Sequence, residues 1–241
     1  MAAGLQCCFQ RYEKKYVITP AQQEFLLSGA LPYLRPDEYG RYTICNIYYD
    51  TANWSLIRSS LEKPAYKEKL RVRSYGVPED DGSVFVEIKK KVGGVVYKRR
   101  VIMAAADVPA YLAGDPSRSP GGQISREIDW FQHLYHAEPQ VFIGYDRTAF
   151  AGIDDPELRM TFDTGLRWRT TALDLRGGDW GAPILPPGRI LMELKIPGAA
   201  PMWLSRLLSQ AEVYPTSFSK YGACYQNHIL GHTKKEMNLS A

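Results

Sequence analysis

Charged side chains recur two residues apart in five stretches of the chain: Arg11-Glu13-Lys15, Lys69-Arg71-Arg73, Glu87-Lys89-Lys91, Lys98-Arg100 and Glu193-Lys195. On a β-strand that spacing puts each set on one face. Facing rows of Arg and Lys suit phosphate, because guanidinium forks match phosphate oxygens and lysines add point charges. Crowded cations repel one another and are costly when buried unpaired, and Glu13, Glu87 and Glu193 are too few to compensate them. A polyanion, above all a chain of phosphates, supplies the missing charge. Glu193 shares its strand with Lys195, and its carboxylate could hold Mg²⁺ or Mn²⁺ against phosphate oxygens. Glu13 and Glu87 either share that task or pair with neighbouring Arg and Lys. Apolar opposite faces packed on helices would turn the charged faces toward a shared space, which a closed or nearly closed barrel surrounds most economically. Alternation by itself does not distinguish such a wet, positive interior from the solvated faces of an ordinary sheet.

Other phosphate chemistries lack their motifs. There is no GxxxxGK[ST] loop, and Gly93-Gly94 reads as a hairpin turn without a helix start behind it. The four cysteines, Cys7, Cys8, Cys45 and Cys224, form no CxxC pair and are expected as free thiols. His133 and His136 lie three apart on an expected helix with no third ligand nearby and are expected at the surface, while Asp154, Asp155 and Glu157 read as a solvated turn.

The elements that must position the cations follow from periodicity. Residues 9–18, 42–50, 67–75, 84–91, 95–103, 139–149, 157–163 and 189–196 read as strands. Helices are expected from a Thr19 cap with Pro20 in the first turn, and over 106–113, 124–135, 202–208 and 217–228, the last with Lys220 near its start. PEDDG at 78–82 is a turn, 114–122 an exposed loop, and 164–188 mostly a loop or a short peripheral strand. The total, about eight strands and four or five helices, is an α+β chain built on a curved antiparallel sheet.

Composition agrees with an ordered globular chain: 241 residues, 45% apolar and 23% charged, with 30 Lys and Arg against 26 Asp and Glu. Between Arg58 and Arg100 there are twelve basic and six acidic residues, so positive potential is local. No apolar run approaches the roughly 18 residues of a membrane helix, and no secretory leader is recognisable at the start. A cytoplasmic protein without direct membrane insertion is expected. Nucleic acid is not an expected partner, because the basic residues should face inward rather than form an outer stripe.

The ordered set RYEKKY at 11–16, NIYYDT at 46–51, KLRVRSY at 69–75, VEIKKK at 86–91, VVYKRRV at 95–101, YDRTAF at 145–150, LRMTFD at 158–163, LMELKI at 191–196 and FSKYG at 218–222 resembles the VTC domain family. This is the polyphosphate polymerase branch of the triphosphate tunnel metalloenzymes. The resemblance implies one domain over residues 9–230, with 1–8 and 231–241 as flexible termini. Its fold would be an eight-stranded antiparallel β-barrel tunnel with helices packed outside. It implies transfer of the terminal phosphate of ATP to a growing polyphosphate chain, supported by a divalent metal, typically Mn²⁺. Arg71, Arg73, Lys89, Arg147, Arg159 and Lys220 would act on the reacting phosphates, with Arg147 and Arg159 resting mainly on the resemblance. Lys15, Lys69, Lys91, Lys98, Arg100 and Lys195 would bind the phosphate chain. Glu193, with Glu87 and Glu13, would hold the metal. The tunnel phosphatases open on an ExExK pattern, whereas this chain has arginine at the first position, Arg11, which favours the polymerase over two-metal hydrolysis. A triphosphate hydrolase and a non-catalytic polyphosphate-binding module remain alternatives, and any membrane partner would be a separate protein.

Overall fold

A computed structural model describes residues 12–93 and 95–231, so residues 1–11, among them Cys7, Cys8 and Arg11, lie outside the described residues, as do Gly94 and all but the first residue of the expected terminus 231–241. Nine strands and six α-helices follow one another as β1 (Tyr12–Ile18), α1 (Pro20–Ala30), β2 (Leu34–Asp50), α2 (Ser55–Leu61), β3 (Tyr66–Tyr75), β4 (Ser83–Val92), β5 (Val95–Ala104), α3 (Val108–Leu112), α4 (Gly122–Tyr135), β6 (Glu138–Gly152), β7 (Arg159–Arg169), β8 (Ala182–Pro183), β9 (Ile190–Ile196), α5 (Met202–Gln210) and α6 (Lys220–Cys224). The strands form one antiparallel sheet in the order β1-β9-β7-β6-β2-β3-β4-β5, with the two-residue β8 paired to β7. Eight strands thus lie on the main path, as expected.

The chain divides into two compact units, one of residues 12–42, 146–165 and 185–218, the other of 43–145, 166–184 and 219–231. In the first unit, α1 starts as its sequence dictates. Thr19 Oγ1 accepts from the Gln22 N–H at 3.2 Å and the Gln22 side chain accepts from the Thr19 N–H at 2.9 Å, a reciprocal capping box with Pro20 in the first turn. Leu26 and Ala30 of α1 and Leu204 of α5 pack on Tyr16, Ile18, Met160, Phe162, Met192 and Leu194, alternate residues of β1, β7 and β9. In the second unit, Cys45, Ile47, Tyr49, Leu70, Val72, Val84, Val86, Ile88 and Val101 form the other core with Ile128 and Phe131 of α4. In both units one face of the strands is therefore dry and the charged face is turned away from the core.

Several boundaries differ from the periodicity. β2 begins at Leu34 rather than 42 and runs through Pro36 and Gly40. β7 continues from Arg159 to Arg169, where a loop was expected. The extension pairs Arg167 and Trp168 with Pro183 and Ala182 of β8 and ends at Arg169. Its guanidinium lies 3.7 Å over Phe142 and 4.6 Å over Trp180, and it donates to the carbonyls of Ala172, Asp174 and Trp180, so a buried arginine organises the following loop. The helix expected over 106–113 is a 3₁₀ turn, Ala105–Asp107, followed by five α residues. The closing helix changes to a π-helical turn at Tyr225–Ile229. Cys45 and Cys224 are free and buried.

Candidate phosphate-binding faces

Strand register fixes the polar face of the second unit. Lys67 pairs with Lys91, Lys69 with Lys89, Arg71 with Glu87 and Arg73 with Phe85 across β3 and β4. Glu87 then pairs with Arg100 and Lys89 with Lys98 across β5, and Asn46 and Tyr48 of β2 pair with Arg73 and Arg71. Directly paired residues share a face. Eight cations (Lys67, Lys69, Arg71, Arg73, Lys89, Lys91, Lys98 and Arg100) are thereby gathered around one carboxylate, Glu87, with Asp50 in phase at the end of β2.

Glu87 is almost fully buried and is the hub of this face. Arg71 Nε and Nη2 each lie 2.7 Å from its Oε2, Arg73 Nε lies 3.8 Å from the same oxygen, and Lys98 Nζ lies 2.6 Å from Oε1. Burial alone would raise its carboxyl, but Arg71, then Arg73 and Lys98, hold it down to about 2. Of the two roles left open for Glu87, the geometry shows the ion pair. Asp50 is equally occupied. Its carboxylate accepts the N–H groups of Leu56 and Ile57 at the start of α2 and the Tyr221 hydroxyl at 2.7 Å.

Several uncharged partners of the cations were not singled out from the sequence. Tyr48 accepts from Arg71 at 3.2 Å and stacks on Tyr221 with ring centroids 4.6 Å apart. Burial would raise its phenol, yet Arg71, Arg73 and Lys69 bring it down to about 8. Asn46 accepts from Arg73 at 3.0 Å, and Lys220, the first residue of α6, lies over the Tyr145 ring at 4.4 Å. Lys69 lies over Tyr221, and Arg100 over Phe85. The signal was present: Asn46, Tyr48 and Asp50 alternate in the stretch NIYYDT in phase with the cations of β3.

The polar face of the first unit is of a different kind. Register pairs Glu13 with Lys195 and Lys15 with Glu193 across β1 and β9, then Lys195 with Arg159 and Glu193 with Thr161 across β7. Arg147 of β6 grips Asp163 with two hydrogen bonds of 2.6 and 2.8 Å and reaches Glu193 at 3.2 Å. Lys15 lies 3.0 Å from Glu13 and 3.9 Å from Glu193, and Arg159 lies 3.7 Å from Asp37. Four cations here face four carboxylates, and Lys195 is lowered, chiefly by burial. Asp163 was missed because LRMTFD reads as a strand whose acid could equally end it.

The donor chemistry of this face suits a hard divalent cation. Glu193 and Glu13 both present carboxylate oxygens around Lys15. Among the described residues no group of three or more His, Cys, Asp or Glu could hold a metal ion by itself. An ion held by these two carboxylates would need phosphate oxygens and water to complete its shell, as Mg²⁺ ordinarily has. Glu87, closed in by three cations, does not fit that role.

Lys98 gives a pH test of the cationic face. Burial lowers its ammonium to about 8, and Arg73 and Arg71 push the same way against Glu87. Above that pH the unliganded protein loses this charge, while a phosphate ligand favours the ammonium, so binding takes up a proton. Metal-free ATP is expected to bind more weakly as pH rises through 8, by up to about tenfold per unit for one linked proton. Calorimetric titration from pH 7 to 9.5 checks this, and Lys98→Arg should remove its share of the dependence and leave that of the Tyr48 phenol, which is also lowered to about 8. A pH-independent affinity for the parent chain would remove Lys98 from the site.

The family model described as the VTC domain matches residues 10–229. Subunit 4 of the vacuolar transporter chaperone complex of Trypanosoma brucei brucei is 26% identical over 93% of this chain, and that of Schizosaccharomyces pombe is 29% identical over 68%. The chain spans 35% and 27% of the length of these two relatives. A solved structure from Hippeastrum, described as an adenylyl cyclase with a dominant triphosphatase activity, superposes with a TM-score of 0.53 at 14% identity, covering 89% of this chain and 94% of that one. At that identity the likeness concerns the fold alone. Among the described residues no helix is long and apolar enough to cross a membrane.

Proposed function

The chain belongs to the VTC domain family, and from that premise we propose that it is a metal-dependent polyphosphate polymerase that transfers the terminal phosphoryl group of ATP to a polyphosphate chain and releases ADP. The observation that carries the reading is the cation excess on β3, β4 and β5, eight basic residues around the single, already neutralised Glu87. A line of phosphates matches such a surface where a lone carboxylate would not. Arg71, Arg73, Lys89 and Lys220 would hold reacting phosphates on the second unit, with Lys69, Lys91, Lys98 and Arg100 along the chain. Lys15, Arg147, Arg159 and Lys195 would do so on the first.

In this mechanism the protein positions and neutralises. Arginine and lysine N–H groups orient the triphosphate and the acceptor and stabilise charge on the phosphoryl oxygens as the P–O bond to ADP breaks and the new P–O bond forms. The nucleophile is a terminal phosphate oxygen, already ionised at neutral pH, so no side chain need remove a proton. Glu193, with Glu13, would hold Mn²⁺ or Mg²⁺, which supplies further charge neutralisation at phosphate oxygens. Asp163 keeps the planar Arg147 guanidinium aimed through its two hydrogen bonds. We further infer a cytoplasmic chain with ATP and polyphosphate as ligands and no nucleic-acid partner. The chaperone-complex names of the relatives support association with separate partner proteins.

Incubation of the purified chain with ATP and Mn²⁺, with and without a short polyphosphate primer, tests the reading. ADP and polyphosphate phosphorus are expected in equal amounts. ADP matched by free phosphate would make it a hydrolase. Tight polyphosphate binding without ADP would make it a binding module.

A further inference from the structure

Tyr48 stands on the cationic face of the second unit with a hydrogen-bond donor that the protein does not use. Register sets it opposite Arg71, and directly paired residues share a face. Arg71 Nη1 donates to its hydroxyl oxygen at 3.2 Å, while Nε and Nη2 of the same guanidinium hold Glu87. A phenol carries one O–H donor besides its acceptor lone pairs, and a guanidinium offers no acceptor. The Tyr48 proton therefore cannot be returned to Arg71. Among the described residues no other group accepts it.

The ring is held in place from behind. It stacks on Tyr221, whose own hydroxyl donates to Asp50 at 2.7 Å, and Asp50 is anchored on the Leu56 and Ile57 N–H groups. Trp54 lies tilted against Tyr221 with ring centroids 6.4 Å apart. The hydroxyl thus needs little ordering to meet a ligand. Its charged surroundings are Lys69, Arg71 and Arg73 of β3 and Asp50 at the end of its own strand, with Tyr145 of β6 beside Arg73 and Lys220 of α6 over the Tyr145 ring. Burial raises the phenol, but Arg71, Arg73 and Lys69 together bring it down to about 8.

An O–H donor among three cations is matched by a negatively charged oxygen with several lone pairs. We propose that the Tyr48 hydroxyl donates its hydrogen bond to an oxygen of the bound phosphate chain, which makes it a binding residue alongside Arg71 and Arg73. The inference rests on the reading of this face as a phosphate site and adds to it a neutral donor. A phenolate can neither donate nor tolerate phosphate beside it, so the contact exists only while Tyr48 is protonated.

The test is calorimetric titration of the full chain and of Tyr48→Phe with metal-free tripolyphosphate, from about pH 7 to about pH 9.5. Phenylalanine keeps the ring stacked on Tyr221, and circular dichroism checks the fold. Below pH 8 the variant is expected to bind about tenfold more weakly, the scale of one hydrogen bond to a charged group. The gap should close as pH rises above 8, because the parent then loses the phenol proton. Lys98 titrates in both proteins and drops out of the comparison. A gap that persists above pH 8 would overturn the proposal. A phenolate accepts from Arg71 more strongly than a phenol, so Tyr48 would then act only by bracing Arg71. Equal affinities at pH 7 would also overturn it and leave the cationic face standing as a phosphate site. Failure of both proteins to bind tripolyphosphate would remove the face itself.

Discussion

Glu193→Gln is expected to lower metal-supported ADP release from ATP by about 10²- to 10³-fold, the scale of removing one preorganised charge-stabilising group from a transition state. The side chain is isosteric, and Arg147 keeps its two hydrogen bonds to Asp163, so the fold should survive. What is lost is a negative charge placed 3.2 Å from Arg147 and 3.9 Å from Lys15. A neutral amide oxygen can still donate to a metal but does not supply that charge. Glu13→Gln should cost far less, about tenfold, because Glu13 is 39% exposed and meets Lys15 at the rim, against 10% for Glu193. Steady-state rates over a Mn²⁺ titration measure both. A Glu193→Gln protein with near-parental rates would remove Glu193 from the metal site, and equal losses for the two variants would contradict their ranking.

Glu87→Gln should instead unfold more readily, by about 3 kcal/mol. Breaking a buried ion-pair network by removing one partner typically costs roughly 3–5 kcal/mol. The drop of the Glu87 carboxyl from an ordinary 4.5 to about 2 independently corresponds to about 3 kcal/mol, at roughly 1.4 kcal/mol per unit. For a chain of this size the melting temperature should fall by about 10 °C. The pH dependence has a definite sign. A depressed carboxylate stabilises the folded state above its unfolded pKa, and that contribution disappears as pH falls through the folded value. The gap between parent and variant in urea midpoint should therefore be full above pH 4.5, narrow below it and close near pH 2. A constant gap across that window would mean the loss is one of packing rather than charge.

The cationic face was legible because charged residues mark strand phase unambiguously. Lys69, Arg71 and Arg73 could alternate with Leu70 and Val72 in only one way once those apolar residues entered the core. The structure then pairs Lys69 with Lys89 and Lys89 with Lys98. Phase is silent where both faces are uncharged. In β6 the run VFIGY is buried throughout, so Arg147 rested mainly on likeness to a family. Asn46 and Tyr48 sit on the charged face, but amide and phenol groups read equally well as filler. The partner of each cation is a tertiary fact: whether Glu87 would hold a metal or bind Arg71 depended on which strand lay beside β4. Arg169 shows the converse error, since a loop containing arginine reads as exposed until Phe142 and Trp180 are seen enclosing it.

The most direct test of the central claim follows the transferred atom itself. ATP labelled on its terminal phosphate is incubated with the purified chain, Mn²⁺ and an unlabelled polyphosphate primer of defined length, and products are separated by size. Label is expected in chains longer than the primer, with little as free phosphate, and Glu193→Gln should suppress it. Label recovered wholly as inorganic phosphate, with the primer unchanged in length, would show that water rather than a phosphate chain is the acceptor.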